Sequence, residues 1–337
     1  MDNKDRSDPD KNWLKDLPAT LENPGFAAEE LLKCSECGRA NPPNRFKCIY
    51  CAADLELKAE QAAQAKLSLR KLEPWEKGFN VIALPRPAGG APVDLPAVAR
   101  ELGLAVEEVA KLIRGAAMPV ARVEGETEVG HIVLRLKDHG IQCRVLSDEA
   151  LDPDRSPRRI RALEFQGDSV VAIDFNTGER IVIPKTDLLL LVAGLLFEVK
   201  TASIEKRKKG KAKLLDRSEM SSDETVIDLY FAGDRDGLRI HENGFDFSCL
   251  GADKGLLAAD NMPRLMQKLS KVARLAKVAD QYLEVHDGLD LVWEPDSRKD
   301  FEGLQRSGFG KTNFGHTVTL SNLRQFNRYS RMQQRLL

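Results

Sequence analysis

Four cysteines near the start of the chain constrain its fold more than any other feature. Cys34, Cys37, Cys48 and Cys51 form two Cys-x-x-Cys pairs that are separated by ten residues. Thiolates are strong zinc ligands, and two such pairs can place four sulfur atoms at the corners of a tetrahedron. The spacing therefore predicts one structural zinc ion bound by these four side chains.

The predicted zinc module spans residues 31–56. Between its two cysteine pairs lies Asn41-Pro42-Pro43-Asn44, which favours a turn between two short hairpins. A module this short has little hydrophobic core, so metal binding would supply most of its folding free energy. Four protein ligands fill a tetrahedral site completely, which is typical of a structural zinc and not of a catalytic one.

This segment resembles a zinc ribbon, and it is also similar to the Ran-binding-protein type of zinc finger through Cys34, Cys37, Asn41, Cys48 and Cys51. In that finger family a Trp stands two residues before the first cysteine, whereas this chain has Leu32 there. The resemblance implies the four metal ligands. Recognition of ubiquitin or RNA is not carried over, because the Trp is missing.

The composition excludes any strong global attraction to nucleic acid or membranes. The net charge is −1, with 31% charged and 42% hydrophobic residues, which is ordinary for a globular protein. Residues 1–10 lack the apolar segment of a secretory signal, and the most apolar run, Leu188 to Phe197, is shorter than the roughly 20 residues that span a bilayer. We therefore expect a cytoplasmic protein whose six cysteines are metal ligands or free thiols.

A chain of 337 residues is longer than one hydrophobic core usually grows, so we predict an α+β multidomain protein. Composition and periodicity divide it into six segments. They are a disordered tail (1–30), the zinc ribbon (31–56), a linker helix (57–76), an α/β domain (77–150), a β-rich domain with a C-terminal helix (158–285) and a basic C-terminal extension (286–337).

The α/β domain has the clearest periodicity in the chain. Strands are predicted at Phe79 to Leu84, at Met118 to Val123 and around Ile141 to Val145. Two amphipathic helices follow the first strand, where Asp94 can serve as a cap, and a third helix follows the second strand. The resulting order is β-α-α-β-α-β, a small α/β sandwich.

This order, with Glu-Leu-Gly-Leu-Ala-Val-Glu-Glu-Val-Ala-Lys at 101–111, resembles the C-terminal domain of the bacterial ribosomal stalk protein over residues 77–148. The adaptor ClpS shares that fold. In both relatives the domain is a docking module without catalysis, so the resemblance implies protein binding and a bacterial source. The stalk protein's factor-binding face is lysine-rich, and the matching helix here offers only Lys111 and Arg114. Factor binding is therefore not carried over.

From Arg158 onward the hydrophobic period changes to two, which predicts a β-rich domain. We expect a hairpin turn at Ala193-Gly194, a loop at the basic run Lys206 to Lys213, and a helix that Asn261 could cap. About seven strands closed by one helix would be similar to a pleckstrin-homology-like barrel, on architecture alone. The expected strands are Leu163–Phe165, Val170–Phe175, Arg180–Ile183, Leu188–Val192, Leu195–Val199, Val226–Phe231 and Leu238–Cys249.

Arginines recur at helical spacing near the end of the sequence. A helix that Ser321 or Asn322 could cap would carry four of them in one stripe, at Arg324, Arg328, Arg331 and Arg335. Such a stripe suits the phosphate groups or acidic surface of an anionic partner. Pairing with acidic groups of this chain is an equally good interpretation.

The sequence has no catalytic set that rises above chance, and Cys143 and Cys249 alternate with core positions as packed thiols would. Our leading hypothesis is therefore a non-enzymatic zinc-binding adaptor or regulatory protein that mediates protein–protein interactions. One alternative is RNA binding through the ribbon and the basic segments. Another is an enzyme with a dispersed site in the β-rich domain.

Overall fold

The computed structural model of this protein describes residues 26, 30–43, 45–57, 72–86, 92–113, 115–208, 211–233, 236–306 and 312–337. The chain divides into two compact units, Met1–Leu67 and Ser68–Leu337. Both helices and strands are present, which confirms a mixed α+β protein. The predicted tail at 1–30 and the predicted linker helix at 57–76 lie mostly outside the described residues.

The first unit has a short antiparallel pair of strands, β1 (Leu32–Lys33) and β2 (Ala40–Asn41). A single bridge between Lys47 and Asp54 forms the base of a second hairpin. Pro42 and Pro43 of the predicted turn follow β2 directly, and Asn44 lies outside the described residues.

A three-stranded antiparallel sheet with order β4-β3-β5 opens the second unit. The core between this sheet and its helices includes Val81, Val98 and Leu112, all fully buried. The elements follow the order that the periodicity predicted, with one extra helical turn at the end. They are β3 (Phe79–Ala83), α1 (Leu95–Leu102), α2 (Val106–Leu112), β4 (Met118–Val123), α3 (Glu126–Asp138), β5 (Cys143–Ser147) and α4 (Asp148–Leu151).

The helix α1 begins as its sequence predicts. The carboxylate of Asp94 accepts a hydrogen bond from the backbone N–H of Ala97 at 3.1 Å. The helix ends at Gly103, whose φ of 65° is the left-handed conformation common at helix ends.

A larger sheet of nine strands follows, in the order β13-β14-β9-β10-β11-β6-β7-β8, with β12 alongside β9. This differs from the predicted seven strands in three ways. Two strands come from beyond residue 285, Lys277–Ala279 is a strand that was not predicted, and the predicted strands Leu188–Val192 and Leu195–Val199 are one continuous strand. The strands are β6 (Arg158–Gln166), β7 (Ser169–Asp174), β8 (Arg180–Pro184), β9 (Leu188–Lys208), β10 (Lys211–Phe231), β11 (Leu238–His241), β12 (Lys277–Ala279), β13 (Asp296–Arg306) and β14 (Thr312–Ser321).

Strands β9 and β10 form one long hairpin of 21 residues each, which corrects two predictions. Ala193-Gly194 is not a turn, since β9 continues straight through it. The basic run is not a loop either, because Lys206 and Lys213 are paired residues of the two strands. Glycine at 194 is required by packing: a Cβ there would lie 2.2 Å from the Phe326 ring.

Two further boundaries differ from the prediction. The strand predicted to run to Cys249 ends at His241, and a 3₁₀ helix occupies Phe247–Asp253. The next helix, α5 (Ala258–Val272), begins before Asn261. The Asn261 amide instead accepts a hydrogen bond from the Gly255 N–H at 2.7 Å and donates one to the Gly255 carbonyl, so it stabilises the preceding loop.

The segment predicted as a C-terminal extension is part of the second unit. After α6 (Tyr282–Leu289) it supplies β13, β14 and α7 (Leu323–Arg335). Phe326, Tyr329 and Met332 of α7 are fully buried. Asn322 bonds to the Leu195 carbonyl of β9 at 2.8 Å, and Asn327 bonds to the Pro153 carbonyl, also at 2.8 Å. The helix therefore connects the large sheet to the segment after α4.

Candidate metal centre

Two tight turns hold the four cysteines, the first knuckle (residues 34–38) and the second knuckle (residues 48–52). In the first, the backbone N–H of Gly38 donates to the Cys34 carbonyl at 2.9 Å. In the second, the N–H of Ala52 donates to the Cys48 carbonyl at 3.0 Å. Both donors have a left-handed backbone, with φ of 69° at Gly38 and 60° at Ala52. Glycine adopts this conformation without strain and alanine does not, so the second knuckle is the strained one.

Each knuckle lies in its own hairpin. The first follows β1, and the N–H of Cys34 donates to the carbonyl of Arg39 at 3.0 Å. The second lies between the strand-like partners Lys47 and Asp54, and the N–H of Cys48 donates to the Ala53 carbonyl at 2.8 Å. The cysteines are thus positioned by backbone hydrogen bonds on both sides of the site.

The four sulfur atoms converge. The Sγ atoms of Cys34 and Cys51 are 3.6 Å apart, and those of Cys37 and Cys48 are 3.5 Å apart. All four lie within 4.8 Å of one another. A tetrahedral zinc with bonds of about 2.3 Å places its sulfur ligands about 3.8 Å apart. The site is close enough to hold a metal ion, and its geometry is compatible with zinc.

The surroundings of Cys48 favour its thiolate. Burial raises the pKa of this thiol, but hydrogen bonds from the backbone N–H groups of Tyr50 and Cys51 and from the Asn41 side chain act in the opposite direction and prevail. They lower the pKa of Cys48 to about 6. A metal binds the thiolate and not the thiol, so this lowered pKa favours ligation by Cys48. The Ala53 backbone N–H lowers the pKa of Cys51, but burial and the three neighbouring thiols prevail and raise it to about 12, so metal binding must displace the Cys51 proton.

Asn41 joins the two knuckles and is completely buried. Its Nδ2 donates to the Arg39 carbonyl at 2.9 Å and lies 3.4 Å from the Cys48 sulfur. Its Oδ1 accepts from the Ile49 N–H at 2.9 Å. The sequence interpretation assigned this residue to a turn and missed its bridging role. The available signal was its position in the finger-like pattern.

The second knuckle exposes two large side chains. Ile49 and Tyr50 lie between the ligands Cys48 and Cys51 and are 49% and 52% exposed. The guanidinium of Arg39 stacks on the Tyr50 ring at 4.7 Å from its centroid. The three side chains form a surface, the knuckle surface, that the metal site would keep rigid.

The predicted arginine stripe is occupied within the chain. Arg328 and Arg331 are buried, so they offer little surface to the phosphate groups or acidic face of a macromolecule. The described contacts favour the interpretation that the stripe binds groups of this chain. These contacts are Arg324 to Asp154 at 2.8 Å and to Asp296 at 3.2 Å, Arg328 to Asp148 at 3.8 Å, Arg331 to the Arg155 carbonyl at 2.8 Å, and Arg335 to the Ala150 carbonyl at 3.4 Å.

The remaining thiols lie outside the metal centre. Burial raises the pKa of Cys143 to about 11 and also raises the pKa of Cys249, so both are protonated at neutral pH and poor nucleophiles. The Nδ1 of His241 lies 2.8 Å from the Glu224 carboxylate and is therefore engaged by a neighbouring strand.

Searches for related proteins found no match among protein-family models, curated proteins or solved structures. Within the described ranges, each helix is too short or too polar to cross a membrane.

Proposed function

We propose that this protein is a non-enzymatic zinc-binding adaptor that acts in the reducing cytoplasm. Cys34, Cys37, Cys48 and Cys51 would hold one structural zinc ion in a ribbon similar to Ran-binding-type fingers. The supporting facts are the sulfur–sulfur distances of 3.5 and 3.6 Å and the convergence of all four sulfur atoms within 4.8 Å. With four cysteine ligands the ion has no open position, so its role is to make the module rigid.

The exposed side chains of the knuckle surface support the proposal that the module docks on another protein. Tyrosine and arginine are enriched at binding hot spots, and here Arg39 and Tyr50 are already stacked on each other. A rigid turn presents these side chains at low entropic cost. The partner would therefore be a protein with a small apolar pocket that receives Tyr50 and Ile49.

The α/β elements at 79–147 support the same function. Their β-α-α-β-α-β order agrees with a stalk-like or ClpS-like docking module. A second docking module in one chain is typical of an adaptor that connects two partners.

The experiment is affinity capture with two matched double variants. Ile49→Ala with Tyr50→Ala removes the knuckle surface. Leu256→Ala with Leu257→Ala removes two adjacent apolar side chains of the other unit that are even more exposed, at 103% and 64%. We expect a partner that the wild type and the Leu256/Leu257 variant capture equally, and that the Ile49/Tyr50 variant loses at unchanged zinc content. Equal capture by all three proteins would contradict a docking role for the knuckle.

The alternative function, RNA binding, is tested with single-stranded RNA as the probe. Binding that falls steeply with salt would indicate phosphate contacts and favour an RNA-binding protein. The adaptor proposal instead expects capture of the protein partner to survive nuclease treatment.

A further inference from the structure

A cleft of about 350 Å³ opens in the second unit. Its buried floor consists of Arg122 from β4, Asp148 from α4 and Arg328 from α7. Its rim includes the exposed side chains of Trp75, Lys77, Glu149 and Asp154. The volume lies at the small end of the range for ligand pockets, about 300–1,000 Å³.

Arg122 and Asp148 form a buried ion pair. The Nε and Nη2 of Arg122 donate to Oδ2 of Asp148 at 2.9 and 2.7 Å. The same oxygen accepts from the Gly78 N–H at 2.9 Å, and Oδ1 accepts from the Asn80 amide at 3.0 Å. Arg122 also donates to the Glu76 carbonyl at 2.5 Å. Neither charge on this pair needs a further partner.

Arg328 is different, because its charge lacks a close partner. It is only 5% exposed, and its Nε is buried without a hydrogen bond. Within the described part of the chain, the carboxylate at ion-pair distance is that of Asp148, whose Oδ1 lies 3.8 Å from this Nε. Burial, followed by the nearby charge of Arg122, lowers the pKa of Arg328 to about 10. The guanidinium is still protonated at neutral pH, so the floor carries one uncompensated positive charge.

The rim of the cleft is negatively charged, in contrast to the floor. Its cations are already paired, Lys77 with Glu149 at 3.0 Å and Arg324 with Asp154 at 2.8 Å. Asp152 also lines the cleft, and no cation is paired with it among the described residues. The cleft is thus positive at its floor and negative at its rim.

We propose that this cleft binds a small zwitterion, with a carboxylate against Arg328 and a cationic group against the Asp152 side of the rim. A bidentate carboxylate would provide the hydrogen bonds that the guanidinium lacks. A phosphate dianion suits the cleft less well, because the acidic rim repels the second charge. This site is independent of the zinc module.

The test uses the full-length zinc-loaded protein and three probes, namely 6-aminohexanoate, acetate and inorganic phosphate. Trp75 is 78% exposed on the rim and serves as the fluorescence reporter, with Trp75→Phe to assign the signal. We expect saturable binding of 6-aminohexanoate with a Kd of about 1 mM or below, and binding of acetate and phosphate that is weaker by about fivefold or more. Absence of saturation by 6-aminohexanoate at about 10 mM would overturn the proposal.

Two variants separate a ligand site from a structural arginine. Arg328→Gln should abolish binding while its melting temperature without probe stays equal or rises, because an uncompensated buried charge is removed. Arg335→Gln, on the same helix but outside the cleft lining, should bind normally. If Arg328→Gln instead melts lower and binds as the wild type does, Arg328 is structural and the proposal is wrong.

Asp152→Asn tests the rim without changing the buried floor. It should reduce the preference for 6-aminohexanoate over acetate by about threefold or more, with acetate binding unchanged or stronger because a repelling rim charge is removed. An unchanged preference would contradict the assignment of the cationic end.

Discussion

At the scale of single residues, the two knuckles differ at one position. Gly38 and Ala52 have nearly the same left-handed backbone, and only Ala52 carries a Cβ. A Cβ at Gly38 would meet nothing within 4 Å, so Gly38→Ala changes the backbone strain without a packing clash. The metal centre therefore contains its own matched pair of test sites.

We predict that Ala52→Gly stabilises the zinc-loaded module by about 0.5–1 kcal/mol and that Gly38→Ala destabilises it by a similar amount. The measurement is competition of each variant with a zinc chelator, since metal binding and folding of the module are coupled. Equal zinc affinity in both variants would show that the left-handed conformation carries no cost here.

The second unit contains a fully buried ion pair. Arg239 and Asp228 are fully buried, and the Nε and Nη2 of Arg239 donate to the two carboxylate oxygens at 2.6 and 2.8 Å. Ser330 of α7 donates to the same carboxylate at 2.6 Å. The carboxylate thus lies between β10, β11 and α7.

Asp228→Ala should destabilise the protein by about 3–5 kcal/mol, because it leaves the Arg239 charge buried and unpaired. Glu164→Ala is the control: it breaks the half-exposed pair with Arg180 and should cost only about 0–1 kcal/mol. Urea denaturation of the second unit measures both. A loss below about 1 kcal/mol for Asp228→Ala would mean that solvent reaches the pair.

At the scale of elements, α7 is buried on all sides instead of on one face, since every residue from 325 to 333 is buried. Several of its polar side chains point into the protein and bond to distant parts of the sequence, as Gln325, Asn327 and Ser330 do. Gln325, for example, accepts from the Tyr282 hydroxyl at 2.7 Å and donates to the Trp293 carbonyl at 2.7 Å. Arg328 is the exception, because its Nε has no hydrogen bond to any residue that the structure describes. Helical spacing predicted the helix correctly, but it could not tell that the arginine side is buried as well as the apolar side.

The contact between β9 and α7 depends on Gly194. Gly194→Ala would place its Cβ 2.2 Å from the Phe326 ring, so we expect a loss of about 1–3 kcal/mol in unfolding free energy. Gly194→Ala with Phe326→Leu should lose less than the sum of the single variants, as the smaller side chain relieves the clash.

Gly130→Ala in α3 is the control with the opposite expected sign. A Cβ there meets nothing within 4 Å, and alanine favours a helix over glycine by about 1 kcal/mol. Thermal denaturation of all four variants compares these effects, and a stabilising Gly194→Ala would contradict the packing argument.

At the scale of the whole molecule, the protein consists of two compact units, and only the first contains the cysteine quartet. We therefore predict that a chelator unfolds residues 31–56 and leaves the second unit folded. Trp293 is buried in the second unit and should keep its fluorescence and its thermal transition. Metal analysis should find about one zinc per chain before chelation.

Cysteine variants complete this experiment. Cys34→Ser with Cys37→Ser should lose the zinc, whereas Cys143→Ser, which lies outside the quartet, should retain it. Loss of the Trp293 transition on chelation would mean that the two units do not fold independently.

Local sequence determined those parts of the protein whose physics is local. The four cysteines lie within 18 residues of one another along the chain, so only a short loop separates the two pairs. Their spacing alone therefore predicted that the four sulfur atoms converge. The elements from Phe79 to Ser147 were likewise predicted by periodicity, because short connections join strands and helices that pack on their neighbours. Asp94 shows the same principle at the start of one helix.

Tertiary structure decided the features that depend on distant partners. Gly194 signals a turn in isolation, and only the Phe326 ring, 132 positions further along the chain, explains why a strand continues through it. The arginine stripe suggests an exposed face until Asp154, Asp296 and the carbonyl of Arg155 occupy it. Burial and charge pairing are properties of the assembled core, so the uncompensated charge of Arg328 and its cleft could be recognised only in the folded chain.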